Sequence, residues 1–544
     1  MTGTDRYDVI VVGAGPVGFT LAIDLGRRGV RCLLLERDPS TKPYPKMDRS
    51  NARTMEVYRR IGIADEVRAA GFPPEAPMDV FVVTRLCDPP ISRFPYPSVA
   101  QYRDQIRTCL DASMPLEPYQ LVAQNDLEPV LRRAAERTPG VTVNFGRELV
   151  SFVQTSDEVV ATTRTADGET SEACASYLVG ADGGASTVRK QLGFALEGQG
   201  GIADLTQVIL RSDELFDRIP IGAGRHYHFA DHRIDRLVAQ GNRRQFSLHT
   251  SLPPETDFGV LLTELAGFDF SFTIDHVIPW RLHLLVAERY REGRVLLAGD
   301  AVHLVIPTGG LGMNTGVGDA IDLSWKLAAT LKGWAGPQLL DSYEIERRPV
   351  ALRNREASAW ASAGQPMWRS LLRSGVQWDT AEGEELKEQI REAAKVGLVR
   401  QYEMSGPELG YSYAGSPVVA AEAGNVAEWD LVRYVPHARP GVRVPHLWLA
   451  DGTALQDVTG NDYTLLDLSG SAESGHLERA FASIGAPLSV VRREEPHAAE
   501  VLGRSVLLLR PDLHIGWSGS ELPPDADALA ATVTGHAGSA PEPL

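Results

Sequence analysis

The sequence predicts a mixed fold. It comprises an α/β unit built on a parallel sheet, an antiparallel α+β sheet inserted into that unit, and a separate C-terminal unit. Three observations support this prediction. The N-terminus reads as an apolar, β-branched strand followed by a glycine turn and a helix. Strand-like patterns dominate between residues 190 and 283, and a new series of strands and helices starts near residue 426.

The composition limits the partners and the compartment. The 544 residues are enough for about three domains. A formal charge of −17 disfavours nucleic acid and anionic membranes as partners. The four cysteines form no CxxC pair, no signal-peptide pattern is visible, and no apolar run is long enough to span a membrane. We therefore expect a cytoplasmic protein without disulfides.

The first element, VIVVGAGPVG, reads as a buried parallel strand, a glycine turn and a helix. Gly13 permits the tight turn, Gly15 lets the backbone approach a pyrophosphate, and Gly18 allows the helix to pack closely on the strand. Phosphates would bind the free N–H groups of the helix N-terminus. The next strand ends at Glu36, where a ribose-binding acid is expected. A ligand-free turn is the alternative, but the combined pattern favours a Rossmann-like dinucleotide-binding domain.

The second element is VGADGGASTVR, from Val179 to Arg189. Asp182 is expected at a strand end beside the cleft, and Ser186 is expected to cap the helix that begins near Thr187. A plain turn explains this segment equally well when it is taken alone.

The third element runs from Val295 to Ala320. It places Asp300 at the carboxyl end of a buried strand, where open α/β sheets bind ligands. A glycine-rich segment then leads to a helix starting near Asn314, whose positive end suits the anionic N1–C2=O edge of a reduced flavin. A glycine-rich turn before an amphipathic helix is the simpler alternative. The three elements in this order predict a chain that binds FAD once.

The same patterns divide the chain. Residues 141–165 are expected to form antiparallel strands, and HLWL, residues 446–449, is a further strand candidate. The predicted FAD-binding domain comprises 1–78, 106–185 and 285–360. The predicted substrate domain comprises 79–105 and 186–284, and it is followed by a helical connector, 361–425, and a C-terminal unit, 426–544.

These motifs resemble the class A flavoprotein aromatic hydroxylases, which share the p-hydroxybenzoate hydroxylase-like fold. The resemblance implies that FAD is reduced by NADPH or NADH, that O₂ adds at flavin C4a, and that a hydroxyl group is transferred to a small phenolic substrate. It also assigns cofactor-binding residues, and our prediction contains Gly13, Gly15, Pro16, Val17, Gly18, Glu36, Arg37, Arg53, Gln124, Asp182, Gly299, Asp300, Pro307, Gly310, Gly312, Met313 and Asn314.

One segment departs from the family pattern. Many relatives carry an arginine in a Pro-Arg-Ala segment after the second strand, whereas this chain reads PYPKMDRSNARTME and has Lys46 in that place. Either Lys46 or Arg53 is therefore expected to supply the charge near the cofactor.

The C-terminal unit extends the resemblance. ARPGVRVPHLWLADGTALQDVTGNDYTLL and VLLLRPDLHIGWSG resemble the thioredoxin-like domain of the phenol hydroxylase and dichlorophenol monooxygenase branch. No cysteine follows Cys174, so this domain is expected to lack redox chemistry. By analogy with that branch, it is expected to serve packing or a homo-oligomer interface.

Hydroxylation of a phenol benefits from a group that deprotonates or orients the substrate hydroxyl. The resemblance places Asp48 in this role, and an Asx turn or helix cap is the alternative. Tyr227, within the HYH segment of the inserted sheet, is the second candidate to face the substrate, although ordinary sheet side chains are more common. The histidines His226, His228 and His232 lack the spacing of a metal site, so no metal is expected.

Two other functions stay open. A Baeyer–Villiger or epoxidising oxygenase acting on a polyketide-type natural product would share this fold. A flavin-bound regulatory protein without turnover would share the cofactor site. Substrate-stimulated oxidation of NAD(P)H separates an oxygenase from a binding module. Hydrolase, zinc-protease and NTPase motifs do not occur in the sequence.

Overall fold

The computed structural model describes residues 5–240, 243–422 and 429–538. The predicted domain boundary at residue 426 lies outside these residues. In chain order, the described strands β1 to β24 are Asp5–Val12, Cys32–Glu36, Arg49–Ser50, Val80–Val83, Ser92–Phe94, Gln120–Leu121, Val141–Phe145, Arg147–Gln154, Val159–Thr165, Thr170–Gly180, Leu196–Gln199, Asp204–Arg211, His226–Phe229, Ile234–Ala239, Gln245–Thr250, Thr273–Arg281, Leu284–Ala287, Arg291–Glu292, Val295–Leu297, His303–Leu304, Tyr463–Asp467, Leu488–Arg492, Val506–Leu509 and Ile515–Gly519.

The helices are described in the same way. In chain order, the described α-helices α1 to α17 are Pro16–Arg27, Ala52–Arg60, Ala64–Ala70, Val99–Thr108, Gln124–Arg137, Thr187–Leu192, Leu215–Arg218, Phe258–Ala266, Gly312–Leu331, Pro337–Ser362, Gly364–Arg369, Ala381–Gly397, Val399–Tyr402, Ser405–Leu409, Gly475–Ile484, Pro496–Leu502 and Ala526–Val533. Short 3₁₀ turns span Gly299–Ala301 and Leu455–Val458.

The N-terminal unit is built on a parallel sheet. Strands β19, β10, β1, β2 and β7 lie side by side in this order and run parallel. β9 and β8 extend the sheet from β10 as antiparallel strands. The prediction of antiparallel strands for residues 141–165 was therefore right for β8 and β9 and wrong for β7. Alternating apolar residues do not reveal strand direction, and β7 follows the crossover helix α5, which returns the chain parallel to β2.

The first glycine turn is shaped by close packing. Gly13 has a φ of +102°. A Cβ atom on Gly18 would lie 1.9 Å from the carbonyl oxygen of Gly13, closer than any side chain tolerates. Helix α1 can therefore press against the end of β1 only because residue 18 is glycine.

The inserted sheet has the order β16-β12-β15-β14-β13-β4-β5. Its neighbouring strands are antiparallel, as predicted, except that β4 and β13 run parallel. Helix α4 was not predicted. It starts with a capping box in which the Ser98 hydroxyl accepts from the Gln101 N–H and the Gln101 side chain accepts from the Ser98 N–H.

The C-terminal unit holds a sheet of order β22-β21-β23-β24, in which β22 is parallel to β21 and the other neighbours are antiparallel. The predicted strand HLWL was wrong: Trp448 forms only an isolated bridge with Ala454. Helix α9 packs against α1 on one side. On the other side, Trp325 of α9 packs edge-on against Tyr463 of this unit, with the ring centroids 6.0 Å apart. α9 therefore connects the parallel sheet to the C-terminal unit.

Candidate active site

A cleft runs from the carboxyl ends of the parallel strands to the inserted sheet. At one end it is bordered by Val12 of β1, Glu36 of β2 and Ala181 after β10. At the other end it is bordered by residues of β13, β14 and β15 and by α13. Such a strand-end cleft is where open α/β sheets bind ligands. We call the first part the cofactor half and the second part the substrate half.

Most residues predicted from the cofactor motifs line the cofactor half. They are Gly13, Gly15, Pro16, Val17, Glu36, Arg37, Gln124, Asp182, Asp300, Pro307, Gly310, Gly312, Met313 and Asn314. Lys46, which stands where relatives have an arginine, also lines the cleft. The structure thus brings together residues spread over three hundred positions of the chain.

The backbone of the cofactor half fits a dinucleotide. The N-cap of α1 is Gly15, whose residue type offers no side-chain cap, and a Cβ atom placed there would meet nothing within 4 Å. A second helix end, at α9, has Leu311 as its N-cap and likewise takes no side-chain cap. Both helix N-termini therefore present backbone N–H groups to the cleft, one suited to a pyrophosphate and the other to the anionic edge of a flavin.

Side chains hold the edges of this half in place. The Glu36 carboxylate accepts from the backbone N–H of Ala14 at 2.8 Å. The Gln124 amide donates to Glu128 at 2.6 Å. Gln124 therefore keeps its own carbonyl oxygen available as an acceptor for a cofactor hydroxyl.

The second and third motifs contact one another. The Asp182 carboxylate accepts from the Thr187 N–H at 2.7 Å at the start of α6, where Ser186 forms the predicted cap. Arg189 donates to the carbonyl oxygens of Gly184, at 2.9 Å, and of Ala301, at 2.8 Å. This arginine therefore ties the loop of the second motif, at Gly184, to the turn that carries Asp300.

Asp300 is exposed where it borders the cleft. The walls of the cleft still reduce the hydration of its carboxyl group, which raises the pKa of Asp300. A carboxyl group with a raised pKa suits hydrogen bonding to the neutral hydroxyl groups of a ribityl chain.

Two predicted site residues lie elsewhere. Arg53 is buried away from the cleft and donates to the carbonyl oxygen of Asp512 at 2.9 Å. Tyr227 is fully buried, stacks on Phe81 with ring centroids 5.4 Å apart, and donates to the Gly222 carbonyl oxygen. Side chains of a strand alternate between its faces, so Tyr227 points into the apolar core while His226 lines the cleft.

Gly18 and Gly299 also stand outside the lining. Gly18 serves helix packing, as described above. Gly299 packs against Val17, and its N–H donates to Asp319 at 3.0 Å. These two glycines shape the cofactor half from behind.

Asp48 lies on the wall between the two halves of the cleft. Its Oδ2 atom accepts from Arg225 Nη2 and contacts His226 Nε2, both at 3.3 Å. Burial alone would raise the pKa of Asp48, but the charge of Arg225 and the hydrogen bond from His226 together lower it well below its ordinary value. The cap of α2 is Asn51, which excludes the helix-cap alternative for Asp48.

A chain of hydrogen bonds leads away from Asp48. His226 Nδ1 contacts the Tyr402 hydroxyl, which also contacts His228 Nε2 at 2.8 Å and accepts from Gln401 at 3.1 Å. Burial and the charge of Arg225 lower the pKa of His226 to about 3, so this histidine is neutral. A carboxylate neighbour requires the proton of His226 on Nε2, and Tyr402 therefore donates to Nδ1.

Sequence reasoning missed most of the substrate half. Gln207, Arg225, Arg236 and His249 line it from the inserted sheet, and Gln401 and Tyr402 line it from α13. The HYH segment identified a strand of the site, but the predicted residue, Tyr227, lies on the face of that strand opposite to the cleft, whereas His226 lines the cleft. Tyr402 lies in the predicted connector, where no motif marked it.

No metal site or membrane span emerges from the described part of the chain. Within residues 5–240, 243–422 and 429–538, His, Cys, Asp and Glu side chains form no group of three or more that could hold a metal ion. None of the helices described there combines the length and apolarity needed to cross a membrane.

Family comparisons agree with this geometry. The FAD binding domain family model matches residues 6–232 and 261–358, and the aromatic-ring hydroxylase C-terminal family model matches residues 437–540. The FAD-dependent monooxygenase apdD of Emericella nidulans is 32% identical, with 97% of this chain and 90% of the relative covered. Aklavinone 12-hydroxylase RdmE of Streptomyces purpurascens is 32% identical, with 96% and 97% covered.

A solved structure gives the same result. The rebeccamycin biosynthetic enzyme RebC with reduced flavin superposes with a TM-score of 0.89 at 32% identity, covering 98% of this chain and 100% of RebC. The glycine motifs, the cofactor half of the cleft and these full-length similarities agree, and the chain therefore belongs to the class A FAD-dependent aromatic monooxygenases as an enzyme that binds FAD.

Proposed function

We propose that this enzyme hydroxylates a phenolic ring within a multi-ring aromatic substrate, using NADPH or NADH and O₂. The observation that carries the proposal is the position of Asp48, with Arg225 and His226, between the cofactor half and the substrate half. The names of the relatives support the multi-ring substrate, since one acts on aklavinone and another belongs to rebeccamycin biosynthesis.

FAD, once reduced, activates O₂ and supplies an electrophilic oxygen atom when it is bound. An electrophile attacks a phenol faster as the ring gains electron density from its oxygen. The residues of the substrate half must therefore draw the hydroxyl proton away from the substrate oxygen or stabilise the charge that develops there.

Asp48 and Arg225 divide these two tasks. Arg225 and His226 both reach Oδ2 of Asp48, so we place the substrate hydroxyl at Oδ1. Because the pKa of Asp48 is held low, the carboxylate accepts a hydrogen bond from the hydroxyl and orients it. The Arg225 guanidinium then faces the negative charge that grows on the substrate oxygen.

The chain behind Asp48 keeps this arrangement fixed. Tyr402 donates to His226, and His226 donates to Asp48, so the carboxylate has one preferred orientation. The buried Nδ1 atom of His228, at the far end, has no hydrogen-bond partner among the described residues. The chain therefore ends in the protein interior and serves orientation more directly than proton exchange with solvent.

Product analysis tests the proposal. Purified FAD-loaded enzyme is incubated with aklavinone or with catechol, a single-ring control, while oxidation of NADPH and NADH is followed. The expected result is faster oxidation with the multi-ring phenol and a product that has gained one oxygen atom on the ring. Oxidation that is equally slow with and without every phenol, and no oxygenated product, would contradict it.

A further inference from the structure

A buried carboxylate supports the turn that carries Asp300, in addition to the hydrogen bond from Arg189 to Ala301. Asp319 of α9 accepts from the Gly299 N–H at 3.0 Å and from His303 Nε2 at 2.8 Å. Its second oxygen accepts from Arg347 Nε of α10 at 2.7 Å. Asp319, His303 and Arg347 are all nearly inaccessible to solvent. One side chain thus holds both the first residue of the turn Gly299–Ala301 and the first residue of strand β20, which follows the turn.

Arg347 links this carboxylate to a more distant segment. Its Nη2 donates to the carbonyl oxygen of Thr315 in the first turns of α9, at 2.9 Å. Its Nη1 donates to the hydroxyl of Tyr413 at 2.9 Å. The same guanidinium therefore contacts the flavin-facing end of α9, the support of the turn and a residue outside the flavin-binding unit.

Tyr413 belongs to the C-terminal unit by its contacts. Its N–H donates to Gly441, and its ring lies 4.2 Å from the ring of His514. The Arg510 guanidinium sits 5.0 Å above the same ring and donates to Asp322 of α9. A continuous buried path therefore runs from the C-terminal unit to the cofactor turn.

We propose that Asp319 and Arg347 are positioning residues for FAD, and that Tyr413 lets the C-terminal unit hold the Asp300 turn in its cofactor-binding shape. The carboxylate has three donors, one of which is the Arg347 cation, and this is more support than a buried acid needs for charge balance alone. Burial would raise the pKa of Asp319, but the charge of Arg347 lowers it to about 2, so the carboxylate stays ionised and accepts all three bonds.

FAD titration of the apoprotein tests the proposal without a substrate. Asp319→Asn is expected to raise the Kd for FAD by about 10- to 100-fold, as the loss of a residue that orients a ligating group does elsewhere. Tyr413→Phe, which removes one hydroxyl, is expected to raise it by about 3- to 10-fold. The flavin absorption band of the loaded variants should also shift, because the environment of the ring changes.

A matched control separates positioning from general damage. Arg443 of the C-terminal unit pairs with Glu56 of α2 at 2.7 Å, and both side chains are fully buried. Arg443→Met removes an equally buried link between the same units that does not touch the Asp300 turn. We expect it to lower the Tm of the apoprotein while the Kd for FAD stays within about 2-fold of wild type.

Three results would overturn the proposal. The first is wild-type FAD affinity in Asp319→Asn. The second is an increase in Kd for Arg443→Met as large as that of the turn variants. Should Asp319→Asn fail to fold, Arg347→Lys, which keeps the charge, and Tyr413→Phe decide the question: wild-type affinity and an unshifted flavin band in both would be the third. Because no variant is assayed with substrate, failure here leaves the proposed hydroxylation untouched.

Discussion

The two halves of the cleft are built from different materials. The cofactor half combines glycines and two helix N-termini with polar side chains such as Glu36, Gln124 and Asp182. The substrate half is lined by ionisable side chains from segments far apart in the chain, around residues 48, 225, 236 and 402. Backbone sites bind a cofactor shared by a whole family, whereas a side-chain site can change with the substrate while the cofactor half stays the same.

The largest expected effect comes from a substitution that disrupts the cofactor half. Gly18→Ala would force a Cβ atom to 1.9 Å from the Gly13 carbonyl oxygen. We expect a loss of about 3 kcal/mol or more in the free energy of unfolding, and protein that retains no FAD. Thermal unfolding and the flavin absorbance of the purified variant measure both.

Gly15→Ala is the matched control for that variant. Its Cβ atom meets nothing within 4 Å of the protein but stands where a pyrophosphate approaches. The apoprotein should keep its Tm, and only the Kd for FAD should rise, by about 10-fold or more. Similar losses of Tm in both variants would refute the separate roles of the two glycines.

The next effect concerns the substrate half alone. Arg225→Gln removes the cation that faces Asp48 at 3.3 Å. Hydroxylation should fall by about 100-fold, as expected when a group that stabilises developing charge is lost, with FAD content unchanged. Arg93→Gln, which changes an arginine on β5 paired with Asp79 and outside the cleft, should hydroxylate at the wild-type rate. Loss of FAD from Arg225→Gln would contradict the claim that Arg225 serves the substrate half alone.

Tyr402→Phe is a milder change in the substrate half, and a smaller loss of activity is expected from it. The variant keeps the ring but removes the hydroxyl that donates to His226. We expect kcat for hydroxylation to fall by about 10-fold with little change in KM, because the substrate still binds but Asp48 is less well oriented. Tyr96→Phe removes the hydroxyl of a ring 5.5 Å away and serves as the control. An equal loss in both variants would argue against the hydrogen-bond chain.

The smallest effect is on stability against pH. The pKa of His226 is lowered to about 3 by burial and by the charge of Arg225, whereas an unfolded histidine titrates near 6.5. Between about pH 6.5 and 3 the unfolded chain therefore binds more protons, and stability falls as the pH falls through that window. The Tm of His226→Gln should drop less than that of wild type between about pH 6.5 and 4.5. Parallel curves would contradict the neutral, buried state of this histidine.

The contrast explains what could be predicted from the sequence. The glycine turn, Glu36 and the Asp300 turn follow from short spacings that constrain a backbone, and the structure places them together in one cleft. The prediction that Tyr227 faces the substrate failed, because adjacent residues of a strand point to opposite faces of the sheet. The prediction that Arg53 binds the cofactor failed, because its side chain instead hydrogen-bonds to Asp512, a contact that depends on how the C-terminal unit packs. Tyr402 could not be predicted as a site residue, because no motif marks it and its helical connector reaches β13 only in the folded structure.

Part of the architecture stays a prediction. The fold of the C-terminal unit is described by its β22-β21-β23-β24 sheet, and its thioredoxin-like assignment stays a prediction from sequence. The same holds for the assembly of this chain into a homo-oligomer.

The most direct test of the account is the amount of hydroxylated product per bound FAD in Asp48→Asn compared with wild type. The carboxylate is isosterically replaced, and the backbone of the cofactor half is untouched. We predict wild-type FAD content, continued NAD(P)H oxidation and about 100-fold less oxygenated product. A variant that hydroxylates its phenol at the wild-type rate would contradict the claim that the side chains around Asp48 direct the chemistry.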